Sequence, residues 1–428
     1  MAFAARLAVL CVLACLTAGA AGPQAAALAP LFARMRAANG GLVNAHIVST
    51  SRHLVDGMPA ILTTHVQGLR YRQDQCTGLV CLGTYFDGER LFSVNINDTA
   101  LPRSSTPEPR LRALRILGML AFLDPQFEGT VYDGGAAHFL GRTVRRIFVS
   151  DRIALPMEIY VNPQTGLVAG AQDVNGDAVY VMRDYRRVGA FVLPFEIDRS
   201  GAPLERYLTR RVEAAPFNAP QGLHAQEIAG ALPAMALDPQ SILPLGTCTV
   251  AGISVACLID SGNSALSMSV ELAEQLNLKP VGMLRVAGLG NYATEVVRAG
   301  PLKLADKNFG DANYVVLSDI HRYGYDIVIG ADALATMPVT IDYQAHALYF
   351  GQNVPVSAAA ATVPLAFQNL VPVVSVILND SLSSLAVDTG DQSNINLGYE
   401  YYREHSQLFQ ATKMQSVSGV GGESVELM

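Results

Sequence analysis

The chain has 428 residues, a formal net charge of −7, and a composition that is half hydrophobic and only 16% charged. This length favours two or three domains. The composition excludes an intrinsically disordered chain, because it can bury a sizeable core. The negative net charge and the lack of a basic run in the sequence exclude nucleic acid as the main partner.

The N-terminus has the order of an export signal: Arg6, an apolar run over residues 7–16, and small residues up to Ala20. We therefore predict a signal peptide over residues 1–20, cleaved after Ala20. The apolar run is too short to span a bilayer. The three residues before Cys15 loosely resemble a bacterial lipoprotein box, so lipid attachment at Cys15 is an alternative. In both cases the expected location is outside the cytoplasm, either periplasmic or secreted.

Four cysteines lie beyond this leader, at positions 76, 81, 248 and 257. In an exported chain they predict two local disulfides, Cys76–Cys81 and Cys248–Cys257, because the members of each pair flank a short turn. A zinc site is the competing interpretation. It is disfavoured because no histidine-rich segment accompanies the cysteines.

Residues 21–213 are predicted to form an antiparallel sheet domain. Residues 26–38 have the apolar spacing of a short amphipathic helix. Over residues 46–196, short runs of alternating apolar residues are separated by turn pairs such as Asp-Gly and Asn-Gly. A second helical pattern interrupts them at residues 110–123. An antiparallel sheet with helices packed against it satisfies this order of elements.

This region resembles the curved-sheet fold of bacterial lipoprotein carriers and related periplasmic proteins. The resemblance rests on residues 159–167 (Ile-Tyr-Val-Asn-Pro-Gln-Thr-Gly-Leu) and on residues 184–186 (Asp-Tyr-Arg), which lead to a Leu-Pro pair. It implies a concave apolar face that contacts lipid, lipoprotein or peptide. The alternative is a scaffold that packs on the rest of the chain, because a likeness of fold does not by itself give a function.

Two short motifs in the second half of the chain share one pattern, an apolar strand followed by Asp, a hydroxyl residue and Gly. One such tripeptide is usually only a turn. Two of them, delivered by strands in the same way, indicate one site built with pseudo-twofold symmetry. The motif residues are Asp260, Ser261 and Gly262 in the first copy, and Asp388, Thr389 and Gly390 in the second.

The two motifs belong to an internal repeat, because the same predicted elements surround each aspartate in the same order. A hairpin precedes the aspartate, a helix follows it, and a glycine-containing hairpin comes next. These elements are residues 245–250 with 253–259, 270–278 and 286–290 in the first copy, and residues 371–378 with 382–387, 399–408 and 417–422 in the second.

This order of elements resembles the retropepsin-like and pepsin-like aspartic proteases, and in particular bacterial exported members with two such units behind an N-terminal sheet domain. In the first copy the likeness continues through an Ile-Val-Ile-Gly run and a closing strand pair. The implied fold is mainly β, with a curved antiparallel sheet and helices followed by two β-rich retropepsin-like lobes. The predicted segments are a linker at 214–243, a first unit at 244–352 and a second unit at 363–428. The second unit is expected to be incomplete in this sequence, since it ends soon after its glycine-containing hairpin.

The resemblance implies a catalytic dyad of Asp260 and Asp388. The ionised carboxylate takes a proton from water, while the protonated carboxyl donates one to the scissile carbonyl oxygen. Two adjacent carboxylates cannot both ionise easily, so the pKa of one of them rises. By symmetry the two roles are exchangeable. No metal or organic cofactor is needed, because the nucleophile is water.

The same resemblance assigns supporting roles to the neighbours of the aspartates. Ser261 and Thr389 would hold the aspartates through side-chain hydrogen bonds, and the two motif glycines would keep the loops close together. Flaps would cover the substrate, and their predicted residues are Gly288, Gly290, Tyr292, Gly419 and Gly421.

The sequence thus predicts an exported aspartic endopeptidase that acts on a peptide or protein substrate. One alternative is an exported lipid- or peptide-binding protein whose protease-like lobes are inactive. Another is a homodimeric protease in which two chains pair their Asp260 residues and leave Asp388 idle.

Overall fold

The structure, a computed structural model, describes residues 23–55, 58–287, 291–351, 361–392, 395–409, 414–419 and 422–427. The predicted signal peptide and Cys15 lie outside these residues. The chain is mainly β, which confirms the predicted fold class. It divides into two compact units: Met1–Ile47, Gln67–Leu69 and Pro109–Glu213 form the first, and Val48–Val66, Arg70–Glu108 and Ala214–Met428 form the second. The domain boundaries drawn from the sequence stay predictions.

Six strands in the first quarter of the chain follow one another as a meander in the order β1 to β6. Apart from the ends of β1 and β2, they belong to the second unit. The predicted Cys76–Cys81 disulfide is present and closes the β3–β4 hairpin. The strands are β1 (His46–Val55), β2 (Met58–Gln67), β3 (Arg70–Thr77), β4 (Val80–Phe86), β5 (Leu91–Val94) and β6 (Ala100–Pro102).

The described residues of the first unit include two helices and seven strands, and the strands are hydrogen-bonded in the order β7 to β13. Helix α1 packs on β7 and β12 and buries Leu28, Leu31 and Met35, whose spacing places them on one face. A 3₁₀ turn at Ala121–Leu123 extends the second predicted helical region. The elements are α1 (Pro23–Asn39), α2 (Pro109–Gly118), β7 (Thr130–Phe139), β8 (Arg142–Ser150), β9 (Met157–Val161), β10 (Val168–Asp173), β11 (Val179–Val188), β12 (Phe191–Arg199) and β13 (Ala202–Glu213).

The first repeat copy lies in the second unit and forms one sheet in the order β14-β21-β18-β22-β17-β16-β20-β19, with a smaller sheet β15-β24-β23. The predicted hairpin before Asp260 is β16–β17, and the predicted Cys248–Cys257 disulfide joins its strands. The elements are β14 (Gln226–Glu227), β15 (Ala234–Ala236), β16 (Leu245–Val250), β17 (Ile253–Ile259), β18 (Ser267–Ser269), α3 (Val270–Gln275), β19 (Pro280–Ala287), β20 (Asn291–Leu304), β21 (Lys307–Leu317), β22 (Ile327–Ile329), α4 (Ala331–Leu334), β23 (Val339–Asp342) and β24 (Ala347–Phe350).

The second repeat copy has its hairpin and helix at the predicted positions. Its first three strands form a sheet in the order β25-β26-β27, and its last two form a separate hairpin. The elements are β25 (Leu365–Gln368), β26 (Val371–Leu378), β27 (Ser381–Ala386), α5 (Tyr399–Glu404), β28 (Met414–Gly419) and β29 (Gly422–Leu427).

The segment 214–243, expected to be a linker, packs within the second unit. Strand β14 pairs with β21, and β15 pairs with β24. Met235 and Leu237 are buried in the same hydrophobic cluster as Ile259 and Leu266. The many Ala and Pro residues hid this packing, because the paired stretches are only two or three residues long and show no periodicity. Within the described ranges, no helix combines the length and the apolar character that crossing a membrane requires.

Candidate active site

Asp260 lies directly after β17, at the centre of the first repeat copy. Strand β17 pairs in parallel with the fully buried β22, and the Asp260 N–H extends this pairing by donating to the Ile329 carbonyl (3.0 Å). The Asp260 Oδ1 accepts the N–H groups of Gly262 (2.8 Å) and Asn263 (3.2 Å). These bonds fold the chain into a turn around the carboxylate. The side chain is partly buried.

Asp388 occupies the corresponding position after β27 in the second copy. Its Oδ1 accepts the N–H of Gly390 at 2.8 Å, the same distance as in the first turn. The strand before it is held through the Val387 N–H, which donates to the Pro372 carbonyl (2.9 Å). In contrast to Asp260, Asp388 is exposed. The two turns are thus alike in local geometry but differ in burial.

Ser261 and Thr389 lock the two turns together. The Ser261 N–H donates to Thr389 Oγ1 (3.0 Å), and the Thr389 N–H donates to Ser261 Oγ (3.1 Å). The Ser261 hydroxyl donates to the Val387 carbonyl (2.6 Å), and the Thr389 hydroxyl donates to the Ile259 carbonyl (2.8 Å). From the sequence, we expect both hydroxyls to hold the aspartates through side-chain hydrogen bonds. Instead they bond the main chain of the opposite turn, and each carboxylate takes amides of its own turn.

Gly262 and Gly390 allow the turns to approach. A Cβ atom on Gly262 would lie 2.3 Å from the carboxyl carbon of Asp388, and one on Gly390 would lie 2.5 Å from that of Asp260. Carbon atoms in contact are normally about 3.5–4.0 Å apart. Any side chain at either glycine would therefore push against the opposite aspartate. This close approach supports the predicted role of both glycines.

The two aspartates interact directly. Burial, the negative charge of Asp388 and a hydrogen bond between the two carboxyl groups together raise the pKa of Asp260 to about 7. The amides of Gly262 and Asn263 oppose this rise. A pair of this kind holds one proton between two carboxyl groups. It can therefore present a general acid and a general base at the same place.

The predicted flap residues are only partly within the described chain. Tyr292 lies on β20, paired with Val286 across the β19–β20 hairpin, and it packs against a hydrophobic cluster that includes Ala265. Gly419 ends β28 and pairs with Gly422. The remaining three predicted flap residues, Gly288, Gly290 and Gly421, lie outside the described residues.

Two residues that the sequence analysis did not assign are connected to the site. Tyr325 packs on the same hydrophobic cluster as Tyr292. Its pKa rises to about 12 through burial and through the negative charge of Asp260, which places its phenol in the field of that carboxylate. Asp332, two residues after Gly330, is fully buried and accepts the Leu266 N–H (2.9 Å). Both flank the Ile-Val-Ile-Gly run at residues 327–330, but nothing in the sequence there indicated a function for either residue.

Gly330 brings β22 close to the Asp260 turn. A Cβ atom at this position would lie 2.4 Å from the Ala265 carbonyl oxygen and 2.7 Å from that of Asn263. The next residue, Ala331, donates its N–H to the Asn263 carbonyl (2.7 Å). The Asp260 turn is therefore braced by the chain that follows β22. Among the described residues, no group of three or more His, Cys, Asp or Glu is arranged to hold a metal ion.

No family model and no curated protein matches the chain. Several solved structures are distantly similar. A LolA superfamily protein from Nitrosomonas europaea aligns over 44% of this chain and 94% of its own, with 12% identity and a TM-score of 0.31. A retropepsin-like aspartic protease from Rickettsia conorii aligns over 30% of this chain and 94% of its own, with 15% identity and a TM-score of 0.23. A DUF1329 family protein from Desulfovibrio piger aligns over 46% and 96%, with 9% identity and a TM-score of 0.31.

Proposed function

We propose that the chain is an aspartic endopeptidase in which Asp260 and Asp388 activate water for attack on a peptide bond. The observation that carries the proposal is the interlock of the two Asp-hydroxyl-Gly turns, with its reciprocal hydrogen bonds and its two glycines against the opposite carboxyl groups. Two adjacent carboxylates are unfavourable for folding, because like charges repel and burial disfavours ionisation. Such an arrangement therefore supports a functional role.

The raised pKa of Asp260 supports a division of roles within the pair. Asp260 holds the shared proton and donates it to the carbonyl oxygen of the scissile bond. Asp388, which is exposed, takes a proton from the attacking water. The resulting tetrahedral intermediate collapses when Asp388 passes its proton to the nitrogen of the leaving amine and the carbon–nitrogen bond breaks. Asp260 takes back a proton from a hydroxyl group of the intermediate, which restores the starting pair. Tyr292 and Tyr325, which are partly buried against one hydrophobic cluster, are the candidates for contact with side chains of the substrate.

We further propose that the protein works outside the cytoplasm. The two disulfides support this location, because such bonds persist in oxidising compartments. The predicted signal peptide supports it as well. Lipid or lipoprotein contact through the N-terminal sheet stays a prediction from the sequence.

The test is hydrolysis of a mixed peptide library between about pH 3 and pH 8 by the wild type, Asp260→Asn and Asp388→Asn. Each substitution removes one half of the acid–base pair, so we expect kcat/KM to fall about 10²–10⁴-fold in both. Asp391→Asn is the matched control, because Asp391 lies on the same loop and accepts a hydrogen bond from Asn396 (2.8 Å). This control should cleave like the wild type.

The outcomes separate the proposal from its alternatives. If Asp388→Asn stays active while Asp260→Asn does not, the intrachain pair is wrong and the homodimer is favoured. A folded wild-type protein that cleaves nothing in the library would contradict the peptidase and favour a binding protein. Wild-type activity should also decline as the pH rises above about 7, because the proton on Asp260 is then lost.

A further inference from the structure

The loop between β5 and β6, residues 95–99, is a mostly buried and internally hydrogen-bonded element of the second unit. The Asn95 side-chain oxygen accepts the N–H groups of Asn97 (3.0 Å) and Thr99 (3.1 Å). The Asn95 N–H donates to the Thr99 carbonyl (3.1 Å), which closes the loop. Asn95, Asn97 and Thr99 are all buried. Buried polar side chains are costly unless they are hydrogen-bonded, so the partners of this loop indicate its purpose.

The side chain of Asn97 is hydrogen-bonded to groups of the first repeat copy. Its Nδ2 donates to Asp332 Oδ2 (2.6 Å) and to the Asn313 carbonyl (2.9 Å), and its Oδ1 accepts the Asn313 N–H (2.7 Å). Asn313 in turn donates from its side chain to the Ile96 carbonyl (2.8 Å). Both amide hydrogens and the amide oxygen of Asn97 are therefore used. A different side chain could not make the same set of bonds.

Asp332 connects this loop to the chain that follows the catalytic turn. Its Oδ2, which accepts from Asn97, also accepts the Leu266 N–H (2.9 Å). Asn95 makes a second connection, because its Nδ2 donates to the Ser264 carbonyl (3.2 Å). The 260–266 segment is thus held at two points. Ser264 bonds directly to the 95–99 loop, and Leu266 bonds to the Asp332 carboxylate, which the loop holds through Asn97.

We propose that the 95–99 loop positions the catalytic turn, with Asn97 acting as a positioning residue through Asp332 on the 260–266 segment. This inference rests on the proposed peptidase function. A fully buried carboxylate keeps its place only while N–H donors surround it, and Asn97 supplies the shortest of its side-chain bonds. Without Asn97 the carboxylate loses a donor, and the Leu266 amide loses a fixed acceptor. The Asp260 turn is then free to shift against Asp388.

The first test is the kinetics of Asn97→Ala on a peptide that the wild type cleaves. Displacements of about 1 Å in a catalytic group can reduce rates about 10²-fold. We expect kcat to fall about 10- to 100-fold while KM stays within about twofold, because Asn97 does not line the substrate surface. The matched control is Asn39→Ala. Asn39 is buried in the first unit and accepts the Val192 N–H (2.8 Å), so its loss perturbs stability without reaching the Asp260 turn.

The second test does not depend on activity. Hydrogen–deuterium exchange followed by mass spectrometry reports on the amides of the 260–266 segment. We expect these amides to exchange at least about tenfold faster in Asn97→Ala, since the Leu266 amide no longer has a fixed acceptor. Exchange in β11 and β12 of the first unit should not change. If Asn97→Ala does not fold, Asn97→Ser retains a hydroxyl donor and is measured in the same way.

The two tests have distinct failures. A folded Asn97 variant with wild-type kcat and wild-type exchange at 260–266 would overturn the positioning role. Exchange that rises equally in both units would also overturn it, because the effect would be a general loss of stability. If the wild type cleaves no peptide but the variant still loosens the 260–266 segment, the peptidase function fails and the positioning of this segment by the loop stands.

Discussion

Replacement of Gly262 by alanine tests the central feature of the site, which is the close approach of the two turns. The added Cβ would lie 2.3 Å from both the carboxyl carbon and one oxygen of Asp388. A normal carbon–carbon contact begins at about 3.5 Å, so the two groups must separate by about 1 Å. Gly262 does not adopt a positive φ angle. The expected effect is therefore steric and does not come from strain in the backbone.

A movement of Asp388 that relieves this clash should change the free energy of unfolding little but should lower kcat. Asp388 is exposed and can rotate away at a cost of about 0.5–1.5 kcal/mol, the range for an unfavourable rotamer. The rotation moves one carboxyl group out of the pair, so kcat should fall about 10²-fold. The pKa of Asp260 should also fall, because the charge of Asp388 is one of the causes that raise it. The decline of activity at high pH should then begin at a lower pH than in the wild type.

The assay is kcat as a function of pH, together with the thermal unfolding temperature of each variant. Gly118→Ala is the matched control, because an added Cβ there meets nothing within 4 Å and Gly118 lies at the end of α2 in the first unit. Gly390→Ala should be the more damaging variant for stability, since its Cβ meets Asp260, which two amides hold in place. A Gly262→Ala protein that retains kcat within about twofold of the wild type would refute this explanation of the site.

Two further predictions concern the stability of the pair. Asp260→Asn should stabilise the protein at pH 8 more than at pH 4. The pKa of Asp260 is about 7 in the folded protein and 3.8 in the unfolded chain, so the wild type loses stability as the pH rises between these values. Asparagine does not ionise, and the substitution therefore removes that loss. An equal difference in unfolding free energy between variant and wild type at the two pH values would contradict this. Thr389→Val should lower the free energy of unfolding by about 1–3 kcal/mol, because it removes the hydrogen bonds of the hydroxyl with the Ser261 N–H and the Ile259 carbonyl. Thr389→Ser keeps the hydroxyl, and its free energy of unfolding should stay near that of the wild type. Chemical denaturation of both variants checks this, and equal stability of valine and serine would show that the hydroxyl does not hold the turns.

The repeat explains why so much of the site could be predicted from the sequence. Each copy carries its hairpin, aspartate and helix in an order that short-range patterns reveal, and the predicted hairpin strands at residues 245–250 and 253–259 coincide with β16 and β17. Local signals also identified both disulfides. Such features are determined within about ten to thirty residues of chain, where apolar period and turn chemistry decide the structure.

The contacts of the 95–99 loop could not be predicted in the same way. Asn97 and Asp332 are separated by 235 positions, and neither belongs to an apolar pattern or a repeat-equivalent pair. The structure contains a tight turn at residues 95–99, and nothing in the sequence Asn-Ile-Asn-Asp-Thr identifies the partner of that turn. The crossed bonds of Ser261 and Thr389 were missed for a related reason. Two polar groups near one another have several possible partners, and only the packed backbone selects among them.

The two halves of the repeat share a local geometry, yet their surroundings make them unequal. Asp260 follows a strand inside an eight-stranded sheet, pairs its own N–H with Ile329, and is partly buried. Asp388 follows β27, which is the outer strand of a three-stranded sheet in the described part of the chain, and it is exposed. Burial favours the neutral form of a carboxyl group, and Asp260 is the more buried of the two. In the proposed mechanism, packing therefore separates the roles that symmetry leaves exchangeable, and it favours Asp260 as the carrier of the shared proton.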